Sequence, residues 1–187
     1  HQNLDLQVHQ GEIVSLVGGS GTGKTVLLRQ ILGLATPSRG TIEVLGQPPA
    51  NLAERGAASR MGMLFQHGAL FSAFTVLDNI AFPLRELKTL PPALIRDAAM
   101  VKLQMVGLKP DDASKMPSDL SGGMIKRVAL ARALVLEPGV LLFAEPLSNL
   151  DARLRREMRE EIRGLQQRLN LTVAYVTHDQ SEALAVS

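Results

Sequence analysis

The 187-residue chain predicts an α/β domain with a mainly parallel sheet, interrupted by a helical insert. Three features carry that prediction. The first is the stretch Val14 to Leu34, where the apolar run Ile13 to Val17 leads into Gly18-Gly19-Ser20-Gly21-Thr22-Gly23-Lys24-Thr25. Val26, Leu27, Ile31 and Leu34 then fall at helical spacing. The second is the pair of short apolar runs Val140 to Phe143 and Leu171 to Val176, which read as strands buried on both faces and are separated by a long helical pattern. The third is the segment from His67 to Glu137, which carries helical signals and little strand pattern.

The glycine-rich octet fits G-x-x-x-x-G-K-[ST] at every fixed position, in the strand, loop and helix setting that this pattern needs. Glycines without Cβ let successive N–H groups point inward, and the helix starting near Gly23 adds its positive end. The loop is therefore an anion cradle. Lys24 is placed to neutralise the β- and γ-phosphates of a nucleotide, and the Thr25 hydroxyl to ligate the Mg²⁺ that bridges them. A glycine-rich turn that matches by accident would leave the flanking strand and helix unexplained.

Composition narrows the remaining classes. The chain is long enough for one domain with a substantial core, and 45 % of it is hydrophobic. Twenty basic against eighteen acidic residues give a net charge of +2, without the basic field of a nucleic-acid binder. There is no cysteine, which excludes disulfides and thiolate metal sites. No run of eighteen apolar residues suggests a membrane span. Both ends read as cut: His1 is not an initiator, Leu4 to Val8 alternates like a β-element in progress, and Ser187 falls inside a helical pattern.

In chain order, Thr36 to Gly40 is a turn cluster, Thr41 to Leu45 a short strand, and Gly46 to Pro49 another turn. Arg60 to Phe65 suits a strand that ends at Gln66, either a polar boundary residue or a functional one. Val76 to Leu84 and Pro92 to Val106 read as helices, the second opened by prolines and stopped by Gly107. Its Leu94, Ala98, Val101 and Met105 fall on one face and read as core. Met100, Met105, Met116 and Met124 suit gap-filling packing or, alternatively, an adaptable docking surface.

Ser121-Gly122-Gly123 precedes a helix from Met124 to Leu136. The triplet is a helix cap, or else a second anion site made of a hydroxyl and two bare N–H groups. The apolar strand Val140 to Phe143 runs into Ala144-Glu145-Pro146. An acid at the carboxyl end of such a strand lies on the edge where open α/β sheets bind ligands, so Glu145 is a candidate general base for water. Asp151 caps a helix with a stripe of Leu154, Met158, Ile162, Leu165 and Leu169, whose arginines and glutamates read as a solvated, ion-paired face. The last strand is followed by His178, which is either structural or placed at the same ligand-bearing edge. His9 and His67 have no such placement.

Taken together, Gly18 to Thr25, Gln66, Leu120-Ser121-Gly122-Gly123-Met124, Leu141 to Pro146, Ser148-Asn149-Leu150-Asp151 and His178 stand in the order of the ATP-binding-cassette (ABC) ATPases. The chain resembles that family over essentially its whole length. The resemblance implies a P-loop NTPase (RecA-like) core, residues 1–66 and 137–187, with a helical subdomain at 67–136. It implies an ATPase using ATP and Mg²⁺, paired head to tail with a second ATPase subunit. A transmembrane permease would hold it at the cytoplasmic face of the plasma membrane, with no nucleic-acid partner. Gly18, Gly19, Ser20, Gly21, Thr22, Gly23, Lys24 and Thr25 of one subunit would hold the nucleotide together with Ser121, Gly122, Gly123 and Asp151 of the other. Gln66 would sense the γ-phosphate and join Thr25 at the metal, Glu145 would polarise the attacking water, and His178 would support the γ-phosphate.

Subfamily signals divide along the chain. Phe65 to Phe71, Pro83 to Glu86 and the methionine at 124 look like the Mla or Mce-type phospholipid transporters. From Glu145 onward the sequence looks like importers of sugars, iron or polyamines. The helical insert is where a cassette meets its membrane partner, so phospholipid is the expected cargo and the importer class the alternative. Three positions depart from the family pattern. Ala144 stands where an aspartate helps hold Mg²⁺ through water, which predicts phosphate affinity with weakened turnover. The upstream aromatic that stacks on adenine is absent, as are the strands expected after His178.

Overall fold

The computed structural model describes residues 4–19, 21–54, 60–65, 68–144 and 150–177. In chain order its main elements are β1 (Ile13–Val17), α1 (Lys24–Ile31), α2 (Pro49–Glu54), β2 (Met61–Leu64), α3 (Val76–Leu87), α4 (Pro92–Met105), α5 (Gly122–Leu134), β3 (Val140–Ala144), α6 (Ala152–Leu169) and β4 (Thr172–Thr177). The four strands pair in parallel, in the order β1-β4-β3-β2. Parallel neighbours need long crossovers, and helices supply them.

Both faces of the sheet are covered, and the two-residue period of the strands sorts their side chains between the faces. Leu141 and Phe143 of β3, with Val173 and Tyr175 of β4, join the larger apolar cluster under α3 to α6. Val140, Leu142 and Ala144 of β3, with Ala174 and Val176 of β4, point to the other side and meet Leu28 and Ile31 of α1. That is why β3 reads as an unbroken apolar run. Leu28 is the buried anchor of α1, whereas Val26 and Leu34, expected on its apolar face, are exposed. Leu34 lies beyond the end of the helix.

The caps follow local chemistry. The Thr75 hydroxyl oxygen accepts from the Asp78 N–H at the start of α3, and α4 opens with Pro92 in its first turn. Asn79, fully buried, ties the preceding loop to α3. Its amide accepts from the Phe71 N–H and donates to the carbonyls of Phe71, Phe74 and Thr75. The α3 helix continues through Pro83 to Leu87, past the expected end at Leu84, because buried Ile80, Ala81 and Leu84 hold it against the core.

Two expected strands do not form. Residues 4–8 pair with no described strand, and Leu4 and Leu6 are exposed. Between Thr41 and Leu45 only Val44 pairs, with Gln47, around Leu45 and Gly46, both at positive φ. A two-residue reversal of this kind is a hairpin turn, and it uses up the residues expected in the strand.

The apolar face of α4 also differs from expectation. Leu94 and Val101 are 53 % and 56 % exposed, while Ile95, Ala99 and Leu103 are buried. The helix carries two apolar rows about 100° apart, and packing against α3 and α5 selects the second. Lys102 on that row disguised it: its stem is buried and its ammonium reaches Glu137 at 3.1 Å. Met100, Met105 and Met124 pack against the core, the gap-filling alternative. Chemical denaturation checks the assignment: Leu103→Ala is expected to cost about 2–5 kcal/mol, and Leu94→Ala no more than about 0.5 kcal/mol.

Candidate functional site

The parallel register fixes the site before any side chain is considered. Leu16 lies opposite Val176, which lies opposite Ala144, and Val17 lies opposite Thr177. Leu64 of β2 lies opposite Phe143. All four strands therefore end on one edge of the sheet, and Gly18 opens the phosphate loop at that edge. Ligands of open parallel sheets bind outside such carboxyl ends. Gln66, Glu145 and His178 follow β2, β3 and β4 in the sequence, but they lie outside the described residues, as does Ser20.

Gly21 sits at φ +80° and Gly23, the N-cap of α1, at φ +89°. An L side chain is strained at both positions, so glycine is required by the turn itself. A Cβ on Gly18 would meet the Thr22 Oγ1 at 2.8 Å, whereas Gly19 and Gly21 have nothing within 4 Å. The bare backbone is thus open to a ligand. Thr22 donates its hydroxyl to the Gly19 carbonyl at 2.9 Å. Lys24 curls back over the loop, donating to the carbonyl of Gly18, to that of Gly19 at 2.6 Å and to the Thr22 hydroxyl at 3.3 Å. Its three donors already gather oxygens, and phosphate oxygens are the stronger acceptors for an ammonium. No side chain caps the first turn of α1 and no acid lies in it. Its N–H groups and dipole remain for an anion. Thr25, exposed beside Lys24, supplies a hydroxyl suited to a hard cation.

A second corner lies at the start of α5. The Ser121 oxygen accepts from the Met124 N–H at 3.3 Å, so the capping reading holds, and the hydroxyl hydrogen stays available to an acceptor. Gly123 has a packing reason absent from the sequence reading: a Cβ there would meet the Leu154 methyls at 2.9 and 3.0 Å. Gly122 lies over Leu150 in the same way, at ordinary contact distance. Asp151 caps α6, accepting from the Leu154 N–H at 2.9 Å. The starts of α5 and α6 therefore pack directly on each other.

Ala144, half-buried at the end of β3, turns its methyl to the α1 side. Among the described residues no group of three or more acids or histidines is placed to hold a metal ion. Among the described residues the donor set fits Mg²⁺ as Thr25 together with phosphate oxygens, which is how Mg²⁺ is ordinarily held beside a nucleotide.

A third feature, missed in the sequence, is an apolar groove between the sheet edge and α3. It is lined by Met61, Met63, Phe65, Phe71, Phe82 and Arg132, among others. Phe71, Phe74 and Phe82 form a ring cluster with centroids 4.7 to 5.8 Å apart, and the Arg132 guanidinium stands 5.8 Å over Phe71. Arg132 also donates to the carbonyls of Gly68 and Ala69, and burial lowers its pKa. The signal was present, since four of the five phenylalanines fall between residues 65 and 82.

The family model described as ABC transporter matches residues 1–148. The chain belongs to the ABC transporter family. Among its relatives, the Fe(3+) ions import ATP-binding protein FbpC of Vibrio cholerae is 49 % identical over 186 residues, 99 % of this chain and 52 % of its own length. The FbpC of Brucella suis is 51 % identical over 185 residues, 99 % of this chain and 51 % of its own length. The chain thus spans about half the length of the curated relatives it matches. The dimeric ATP-binding cassette MJ0796, in a post-hydrolysis state with ADP and Pi, superposes with a TM-score of 0.82 at 30 % identity, covering 96 % of this chain and 80 % of that one. The cassette cbiO1 from Clostridium perfringens, part of the transporter complex cbiONQ, gives 0.85 at 30 % identity, covering 94 % and 70 %. The mixed α/β fold with its parallel sheet is that of an ABC cassette.

For this cassette, left-handed backbone at residue 23 should matter to phosphate binding. Gly23→Ala is expected to weaken a fluorescent ATP analogue by roughly 5- to 30-fold, as titration would read it. Gly40→Ala, at φ +84° but away from the loop, should leave that affinity unchanged.

Proposed function

We propose that this chain is the ATP-binding and ATP-hydrolysing core of an ABC importer subunit, with a metal ion of the iron(III) class as cargo. The observation that carries the ATP reading is the Lys24 cradle at the carboxyl edge of the parallel sheet. The cargo rests on relatives named for Fe(3+) import that match over 99 % of this chain. The phospholipid reading draws no support from those relatives. The importer resemblance of residues 145 onward is therefore the better guide than that of the helical insert.

In this proposal Gly18 to Thr25 wrap the phosphates of one ATP, and Ser121, Gly122, Gly123 and Asp151 of a second subunit, arranged head to tail, close on it. Lys24 draws the β- and γ-phosphate oxygens and the α1 dipole adds to its field. Mg²⁺, when bound at Thr25 with Gln66, supplies charge neutralisation between those phosphates. Glu145 holds the attacking water as a general base and His178 supports the γ-phosphate. The chemistry is in-line displacement, in which the protein contributes positioning and electrostatics.

Residues 1–66 with 137–187 act as the core and residues 67–136 as the helical subdomain. The groove of Phe65, Phe71, Phe82 and Arg132 lies between them and suits a short helix of a membrane permease that presents apolar side chains. Among the described residues no helix is long and apolar enough to cross a membrane. Attachment at the cytoplasmic face would then run through that permease.

Ala144 favours a second reading, in which the subunit binds ATP but turns it over slowly. With a methyl at the end of β3, the water-mediated carboxylate grip on Mg²⁺ is gone. In the full-length subunit assembled with its permease, Ala144→Asp is expected to raise Mg²⁺-dependent phosphate release tenfold or more, about 1.4 kcal/mol of barrier. Equal rates would show that the methyl is harmless.

Cargo is tested in cells lacking the gene. The full-length protein should restore uptake of radiolabelled iron(III) and leave phospholipid distribution between leaflets unaltered. Restoration of lipid distribution without iron uptake would reverse the assignment.

A further inference from the structure

Arg127 lies on α5 six residues after Ser121, and it is the meeting point of three segments. Its Nη1 donates to Glu161 Oε1 on α6 at 2.7 Å and to the Val106 carbonyl at the end of α4. Gly107, at φ +75°, makes room for it, because a Cβ there would meet that same nitrogen at 2.6 Å. The pair is largely out of solvent, with side chains 24 % and 15 % exposed.

The position of this joint matters more than its strength. One turn nearer the site, Gly123 of α5 touches Leu154 of α6. A single contact leaves two helices free to pivot about it, whereas a second, farther along, fixes their angle. Gly123 with Leu154 is the contact nearest the corners, and Arg127 with Glu161 is a directional polar contact one turn farther along, beside the apolar cluster that both helices share. The two helices so fixed begin at Ser121 and Asp151, the corners assigned above to the nucleotide of the opposite subunit. Displacing a reacting or binding group by about 1 Å can cost on the order of a hundredfold in rate.

The joint is poorly suited to a purely stabilising role. Glu161 Oε2 is buried without a hydrogen-bond partner. Burial pushes the Glu161 carboxyl up, and the attraction of Arg127 and Arg168 only partly offsets that. Ion pairs desolvated in this way often contribute little net stability, and neutral side chains replace both partners together at small cost, whereas removing one alone strands the other charge.

We propose that Arg127 is a positioning residue, whose joint with Glu161 and the Val106 carbonyl sets the spacing of the Ser121 and Asp151 corners and so controls ATP-driven closure of two subunits. The proposal rests on the ATP-cassette reading of the site. Its test uses the full-length subunit and three readouts: affinity for a fluorescent ATP analogue, ATP-dependent self-association by light scattering, and the thermal midpoint. None of the three depends on hydrolysis, so Ala144 does not obscure them.

Arg127→Met combined with Glu161→Gln, which removes both charges together, should leave analogue affinity within twofold and the midpoint unchanged or raised. Self-association should weaken tenfold or more. Arg127→Lys, which keeps the pair, should retain most of the association. If association of the double variant stays within twofold of the parent, or weakens only as the midpoint drops, the positioning role is wrong. Should the double variant fail to fold, Arg127→Met with Glu161→Met decides in its place. A parent protein that fails to bind the analogue overturns the cassette reading itself, a result distinct from normal binding with unaltered association in the variants.

Discussion

Everything in this molecule depends on a parallel ladder of four strands that must be buried on both sides. Antiparallel strands can leave a face to water, but this sheet has apolar side chains on each face and needs helices on each. The requirement is visible in β3, where Leu141 and Phe143 enter one apolar cluster and Val140 and Leu142 the other. Each large aliphatic or aromatic side chain so buried contributes about 1.5–3 kcal/mol. The same parallel order sends every strand out at one edge, so the condition that makes the core also makes the site.

At that edge the chemistry is mostly backbone. Gly21 and Gly23 hold the phosphate loop at positive φ, and Lys24 bridges the carbonyls of Gly18 and Gly19. At the start of α5, Ser121 caps the helix ahead of a glycine pair. Gly123, however, serves two masters: it bares an N–H and it lets α6 approach through Leu154. A residue read as an anion contact is also a packing contact. The Ser121 corner and the start of α6 are therefore coupled sterically.

Away from the edge, buried polar groups fix loops that apolar packing would leave loose. Asn79 holds the turn from Phe71 to Thr75, which presents Phe71 to the groove, and Arg132 anchors the carbonyls beside it. Lys102 reaches Glu137, itself at positive φ, and so ties α4 to the turn before β3. Arg132 and Lys102 satisfy groups from segments distant in sequence, while Asn79 fixes its own preceding loop.

The sequence by itself determined the phosphate loop, the apolar strands β1 to β4, the caps at Ser121 and Asp151 and the apolar stripe of α6, because each is a local pattern whose meaning survives without neighbours. Ala144 stood out only against the pattern of the family that the chain resembles. Only the tertiary structure decided which of two apolar rows of α4 is buried, that residues 4–8 and 41–45 lack a ladder, that Phe71, Phe74 and Phe82 cluster with Arg132 over Phe71, and that Arg127 meets Glu161. Those outcomes turn on pairing and contact between segments far apart along the chain. Periodicity offers α4 two faces of similar apolarity, and alternation offers residues 4–8 a strand without a partner; the free energy that separates such options comes from contacts made elsewhere in the fold.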